Sequence, residues 1–404
     1  MGDRVRVPTP AHRTRMQEME PQQLSALGVL GWLAFAGRAR ARARTHGSFR
    51  QTLRRDDSWR PSCASENFCK ALPKVELHAH LHGSIRDATL LELAEASGST
   101  THVSQCKAAA YGDRSLSDCF KLFDLIHHLV IDVATVRRIT REVVEDFHAE
   151  NVKYLELRTT PRAMPDLRAY CTAVIDTLEQ CSKDFPGIVC RILLSVNRSS
   201  SLQFAEEVLA LALDLASEGP WVVGLDFSGN PSAQSFEHFR PVFESAREAG
   251  LRTAVHVGEL GKEARYTQDT DAVLDFAPDR LGHAVHLNSM QRKRLLKRPI
   301  PVEICPTSNL MTLQLNAMEE HPTLGLWLRS AYPVVLCTDD AGVFSTSLSR
   351  ELHLVARAYA LGENEMLSLA VRSIDFIFDE SAKAYLRESF IATIQLNAQG
   401  QLVT

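Results

Sequence analysis

From Leu72 onward the chain repeats one pattern. A short run of apolar and β-branched residues is followed by polar residues, then by a longer stretch with apolar positions three and four apart. Eight such runs stand at 75–80, 154–160, 189–196, 222–229, 252–259, 280–285, 301–309 and 333–340. Helical periodicity fills the intervals, clearest over 135–151, 202–217, 235–249 and 269–276. Near-continuous apolar strands that alternate with helices pair in parallel and are covered by those helices. Eight units closing on themselves predict an α/β fold, a (β/α)8 TIM barrel. The doubly wound open sheet is disfavoured, because no G-x-G-x-x-G follows the first run. Residues 81–153, between the first two runs, exceed what one crossover needs. Helical patterns at 88–96, 116–130 and 135–151 predict an inserted helical lid over 84–150.

Composition narrows the class. The 45% hydrophobic and 23% charged content is that of a soluble globular protein, so no membrane partner is expected. Residues 1–60 hold twelve Arg, no Lys and five acids within a chain of net charge −4, so the remainder is acidic. An acidic body argues against nucleic acid as the partner. The uncharged apolar run at 24–37 is short for a membrane span, and its Arg residues follow it, whereas a secretory signal carries them first. Residues 1–66 are therefore expected to be a disordered Arg-rich extension, with organelle targeting as the alternative, and 67–404 the folded body. Nine Cys without a C-x-x-C pair suit reduced, buried thiols, and the expected setting is a cytoplasmic monomer.

In such barrels the active site is built at the C-terminal ends of the strands. Polar residues gather there: His78 and His80, Thr159, Asn197, Ser228, His256 and Glu259, His283, Ser308, Asp339 and Asp340. His78 and His80 lie two apart on a strand and face one side. Alone, such a pair equally describes two packed histidines, and an Asp pair often caps a helix. Three His and an Asp from three strands, aimed at one centre, have no comparable structural explanation. That nitrogen and oxygen set suits one Zn²⁺ per chain with a water in an open position. Zinc lowers the pKa of such a water from 15.7 to about 7. Glu259 can supply a proton to the reacting group, and His283 can orient the attacking oxygen.

The segments His78-Ala-His-Leu-His-Gly-Ser84, Ser228-Gly229, His256-Val-Gly-Glu259, Gly282-His283 and Thr338-Asp-Asp340 resemble the motifs of the adenosine/AMP deaminase family, in the right order across residues 70–390. Three further segments are most similar to its N6-methyl-AMP deaminase branch: 154–162, 224–229 and 337–344. The resemblance implies a barrel of the metal-dependent hydrolase type with His78, His80, His256 and Asp339 as zinc ligands and Glu259 as proton donor. It implies that Gly229 offers its N–H to the purine and that Asp340 bonds the ring at N7. His80, His82, His127, Thr159, Thr160, Pro161, Arg162 and Asn197 would line the nucleotide site. The implied reaction converts N6-methyl-AMP and water to IMP and methylamine, with a purine nucleotide as the small-molecule partner. Two positions depart from the family pattern. His82 stands where adenosine deaminases carry Asp and the N6-methyl-AMP branch usually Asn, and Asn197 stands where that branch has Asp.

The alternatives are a plain adenosine deaminase and an inactive barrel that serves as a binding protein. Neither the ligands nor Glu259 is missing, which argues against the second. His148-Ala149-Glu150 opens like the zinc cytidine deaminases but lacks their P-C-x-x-C, and it reads as surface helix. A binuclear amidohydrolase would want a Lys at the end of the fourth run, which closes on Asp226-Phe-Ser-Gly229 instead.

Overall fold

The computed structural model describes residues 63–110, 116–261 and 263–398. Residues 1–62, most of the expected extension, lie outside the described residues. Eight parallel strands form one sheet in chain order: β1 (Lys74–His80), β2 (Val152–Thr159), β3 (Val189–Asn197), β4 (Val222–Ser228), β5 (Arg252–Val257), β6 (Arg280–His283), β7 (Val302–Ile304) and β8 (Val334–Leu336). The sheet closes at its C-terminal rim through a parallel bridge between Ala79 and Asp339. There the His80 N–H donates to the Asp339 carbonyl at 2.9 Å and the Asp339 N–H to the His78 carbonyl at 2.8 Å. The closure thus joins three candidate metal ligands by backbone. The barrel expected from the pattern is observed.

Local chemistry sets the transitions. Asp132 accepts from the Thr135 N–H at 2.7 Å, Asp166 from the Ala169 N–H at 2.7 Å, and Ser201 from the Phe204 N–H at 3.1 Å. Each satisfies an amide that the first helical turn leaves orphaned. Strand alternation sorts the two faces. Phe227 of β4 points outward, with ring centroids 5.5, 5.2 and 5.5 Å from Phe236, Phe239 and Phe243 of the covering helix Phe236–Glu248. Its neighbours Asp226 and Ser228 are buried on the opposite, inner face.

That inner face differs from the apolar filling the runs suggested. Glu76, Glu156, Arg158, Asp226, Arg280 and Glu303 are all fully buried. Arg158 pairs with Asp226 at 2.9 Å and Glu303 at 2.5 Å, and Arg280 pairs with Glu303 at 2.6 Å and with Glu156. Burial alone would raise the carboxyl groups of Asp226 and Glu303, yet Arg158 together with His256 at the first, and with Arg280 and His78 at the second, holds both well below the usual range.

Two expected boundaries shift. The seventh run was expected to continue as strand to residue 309, but Pro306 begins the helix Pro306–Thr312, so Ser308 and Asn309 sit on a helix. The helix Val133–Ala149 packs on β2 and on the helix Leu167–Asp184, with Val136, Ile139, Val143 and Val144 buried. It is a regular barrel helix. The inserted part therefore comprises Asp87–Ala96, Thr100–Ala110 and Leu116–Leu129. His127 and His128, in the last turn of that insertion, are exposed.

Removing one partner of the buried layer tests its weight. Arg158→Met strands two carboxylates and is expected to cost about 3–5 kcal/mol at neutral pH, measured by urea unfolding. A depressed carboxyl contributes stability in full above its unfolded pKa of about 4 and loses it as pH falls through the folded value. Without Arg158 the stranded carboxyls take up protons more readily, so the deficit shrinks near about pH 4. An equal deficit at both pH values contradicts the assignment.

Candidate active site and metal centre

His78 and His80 end β1 inside the barrel, His256 comes from β5, and Asp339 follows β8 with a left-handed φ of 63°. One donor atom from each of these four residues lies within 4.8 Å of the others. His80 Nε2 and His256 Nε2 are 3.2 Å apart, and Asp339 Oδ1 is 3.5 Å from His78 Nε2 and 3.4 Å from His80 Nε2.

Hydrogen bonds behind the rings decide which nitrogens face the centre. His78 Nδ1–H donates to Glu303 Oε2 at 2.7 Å, and His256 Nδ1–H donates to the Phe227 carbonyl at 2.9 Å. With Nδ1 committed in this way, Nε2 is the nitrogen that each ring turns inward. His78 Nε2 is buried and has no hydrogen-bond partner. Such an unpartnered ring nitrogen beside two more imidazoles and a carboxylate fits a divalent cation. Despite burial, His78 and His283 hold Asp339 well below its usual range, so it stays ionised. Burial and the neighbouring His256 pull His80 down to about 3, leaving it neutral. Burial and the charge of Arg158 oppose a proton on His78, but the neighbouring carboxylates of Asp339 and Glu303 carry it up to about 9. Loading a cation there must expel a proton.

Two acid–base groups border this centre. Glu259 follows Gly258, is 27% exposed, and has Oε1 at 4.0 Å from His283 Nε2. Burial raises its pKa, and its Oε2 is buried without a partner. His283 ends β6 at a φ of 61° with Nε2 at 3.8 Å from Asp339 Oδ2. Cys305, after β7, brings its thiol into the same space. Burial pushes that thiol well up, so it stays protonated.

Two glycines shape the surroundings of Asp340 and Asn197, residues expected to face the purine. A Cβ on Gly83 would stand 1.6 Å from Asp340 Oδ1, so glycine alone lets this carboxyl approach the mouth. Burial, reinforced by the charge of Asp339, raises Asp340 well above its usual range. Gly229 has a φ of 98°, and a Cβ there would meet Asn197 Oδ1 at 2.6 Å, which places Asn197 beside the Gly229 backbone.

A second group of residues lies beside the metal ligands. The His82 ring is 6.1 Å from both His127 and Tyr170, and its Nε2 is buried without a partner. Burial, with the charge of Arg162, pulls His82 down to about 3. Thr159 Oγ1 meets the Tyr170 hydroxyl at 2.5 Å, Thr160 is half-buried and Pro161 buried. Arg162 donates to the Val130 carbonyl at 2.8 Å and the His127 carbonyl at 3.2 Å. It therefore clamps the inserted helix Leu116–Leu129 with two of its five N–H groups.

Sequence reasoning missed Arg158, Glu303, Asn309 and His321. For the first two the signal was present, as charged residues at inward positions of otherwise apolar runs. His283 Nδ1 meets Asn309 Nδ2 at 3.2 Å, and Asn309 Oδ1 meets His321 Nε2 at 3.2 Å, contacts that no spacing announces.

With this geometry in place, comparison with known proteins is informative. The profile described as Adenosine deaminase matches residues 73–393. An N6-mAMP deaminase of Arabidopsis thaliana is 41% identical over 355 residues, covering 80% of this chain and 97% of that protein. The human N6-methyl-AMP deaminase is 34% identical over 338 residues, covering 80% of this chain and 94% of that one. A crystal structure of Arabidopsis ADAL complexed with IMP matches with a TM-score of 0.74 at 41% identity, over 81% of this chain and 98% of that one. With its profile match, its close relatives and a barrel that carries the His, His, His and Asp cluster, this chain belongs to the adenosine deaminase family.

Proposed function

We propose that this protein hydrolyses N6-methyl-AMP to IMP and methylamine, using one Zn²⁺ held by His78, His80, His256 and Asp339. The observation that carries the reading is the orphaned His78 Nε2 facing two imidazoles and a carboxylate, with the protonatable Glu259 at the rim. When bound, such a cation brings the pKa of a coordinated water from 15.7 to about 7. The residues of the chain supply the remaining steps. Attack at C6 pushes an electron pair onto N1, and Glu259 donates a proton there, which prevents charge from building up on the ring. The same carboxylate, once ionised, takes the proton from the hydroxyl added at C6 and passes it to the departing methylamine. His283 orients the attacking oxygen and offers a hydrogen bond as that oxygen develops charge. Burial and the charge of Asp339 raise Asp340 well above its usual range, which favours the protonated form that can donate to N7, an acceptor. Gly229 presents its N–H to the purine.

The nucleotide class rests on His82, His127 and Arg162. No carboxylate stands at His82 or Asn197 to repel a phosphate, His82 has an unused ring nitrogen, and Arg162 has three N–H groups beyond its clamp. The relatives named for N6-methyl-AMP, and the one bound to IMP, support the same substrate. The protein is taken to act as a cytoplasmic monomer. Seven of the described cysteines are buried free thiols, and among the described residues no helix is long and apolar enough to cross a membrane.

Metal analysis of purified protein should find one zinc per chain, and His78→Ala or Asp339→Ala should lose both metal and turnover. Full activity without metal, or two ions per chain, contradicts the centre. Glu259→Gln should keep its zinc while kcat falls about 10²–10⁴-fold, because the amide cannot transfer a proton to N1. A variant within a few-fold of wild type would reassign the acid. Turnover of AMP, N6-methyl-AMP, adenosine and N6-methyladenosine should be compared in parallel. Two charge-assisted bonds to phosphate, at about 1.5–3 kcal/mol each, give a preference for the nucleotide above about a hundredfold in kcat/KM. Arg162→Ala should harm nucleotide turnover far more than nucleoside turnover. Equal losses would leave it only the role of lid clamp, and efficient adenosine turnover would restore a plain adenosine deaminase.

A further inference from the structure

His283 can assist the attacking oxygen as a hydrogen-bond donor only if its proton sits on Nε2, the nitrogen that faces Glu259 and Asp339. A neutral imidazole places that proton on either nitrogen, so the partner of the other nitrogen decides. Three buried side chains settle the matter through a chain of hydrogen bonds that starts at the backbone. His321 Nδ1 receives the N–H of Thr323 at 3.3 Å and the N–H of Leu324 at 3.0 Å. Backbone amides only donate, so this nitrogen is bare and the His321 proton is on Nε2. Burial, which pulls His321 down to about 4, keeps the ring neutral. Nε2–H therefore donates to the atom it meets at 3.2 Å, which must be the oxygen of Asn309. That fixes the Asn309 amide, whose nitrogen then donates to His283 Nδ1 at 3.2 Å. His283 Nδ1 is an acceptor, and its proton is on Nε2.

We infer that His321 and Asn309 are positioning residues that lock His283 as the Nε2–H tautomer, so that it donates into the reaction centre. Both are almost fully buried, Asn309 at 2% and His321 at 5% exposure, and water does not compete for these bonds. The segment is also keyed to the strand it serves. The Thr323 hydroxyl donates at 3.3 Å to the carbonyl of Ala284, which follows His283, and both residues of that turn have left-handed φ values of 61° and 49°. The inference rests on the role proposed above for His283, but the tautomer itself can be read without turnover.

The test uses the zinc-loaded enzyme with ¹⁵N-labelled histidine. Two-bond proton–nitrogen correlation spectra give the protonation of each ring nitrogen, with the His283 signals assigned by their loss in His283→Gln. The expected result is a bare Nδ1 and a protonated Nε2. A protonated Nδ1 overturns the inference whatever the substrate proves to be. In Asn309→Leu and His321→Leu the bias is removed, so both tautomers should appear. For both, kcat should fall at least tenfold, towards the 10²–10³-fold that loss of an oxyanion donor typically costs, with KM little changed. Glutamine offers an acceptor and a donor spaced like the two nitrogens of imidazole, so His321→Gln should rescue most of what His321→Leu loses. A purely structural role would leave the tautomer of the folded leucine variants as in wild type, and that result would overturn the inference. A glutamine variant as impaired as the leucine variant would overturn it too. If the leucine variants fail to fold, the wild-type spectrum still decides.

Discussion

Arg158 and Glu303 join the interior of this barrel to its chemistry. Glu303 accepts from both buried arginines and from His78 Nδ1. One carboxylate thus closes a charge layer below and aims a metal ligand above. Burying such ions costs several kcal/mol each, and mutual attraction offsets that only when every donor and acceptor is used. Here nearly all are used: Asp226 also accepts from the Ser195 hydroxyl at 2.8 Å, and Glu76 from the Thr338 amide and hydroxyl at 2.9 Å each. Hydrophobic filling would stabilise the barrel equally well. It would not hold the His78 ring with Nδ1 bonded and Nε2 turned inward.

Rigid strands carry the ligands, but the reactive groups sit where the strands break. Asp339 and His283 both lie at left-handed φ, a conformation unfavourable for side chains with a Cβ. The bonds around them keep them there. The Asp339 backbone is held on both sides by β1, and His283 by Asn309 behind it. Backbone strain at the rim is therefore stabilised by barrel closure and by the loop that carries His321.

Much of this was legible in the sequence. The eight runs and their order follow from short apolar stretches that alternate with helical ones, and the polar residues gathered at their C-terminal ends marked the rim where the cluster lies. The buried charge layer was obscured by averaging: Glu303 in Pro-Val-Glu-Ile-Cys is one acid among apolar neighbours, and the run still reads as apolar. Arg162 was legible as a cation near the nucleotide. Its grip on the carbonyls of Val130 and His127 depends on a contact across about thirty residues that no local period encodes. Asn309 and His321 were hidden for the same reason, since a relay between side chains appears only once the chain has folded.

Asp339 and Asp340 show how far environment, and not residue type, assigns a role. They are adjacent in sequence, almost equally buried, and pushed in opposite directions. Asp339 faces imidazoles that favour its charge, so it serves as an anionic donor to a cation. Asp340 lies against Gly83 and feels the charge of its neighbour, so ionising it would place two like charges side by side. One carboxyl is thereby kept as an acceptor and the other as a donor. The same logic covers Glu259, which burial raises beside the ionised Asp339. Once a cation occupies the centre, its field lowers every nearby carboxyl. Burial is the largest cause of the upward shift at both Glu259 and Asp340, so that part of it does not depend on the charges that a cation would offset.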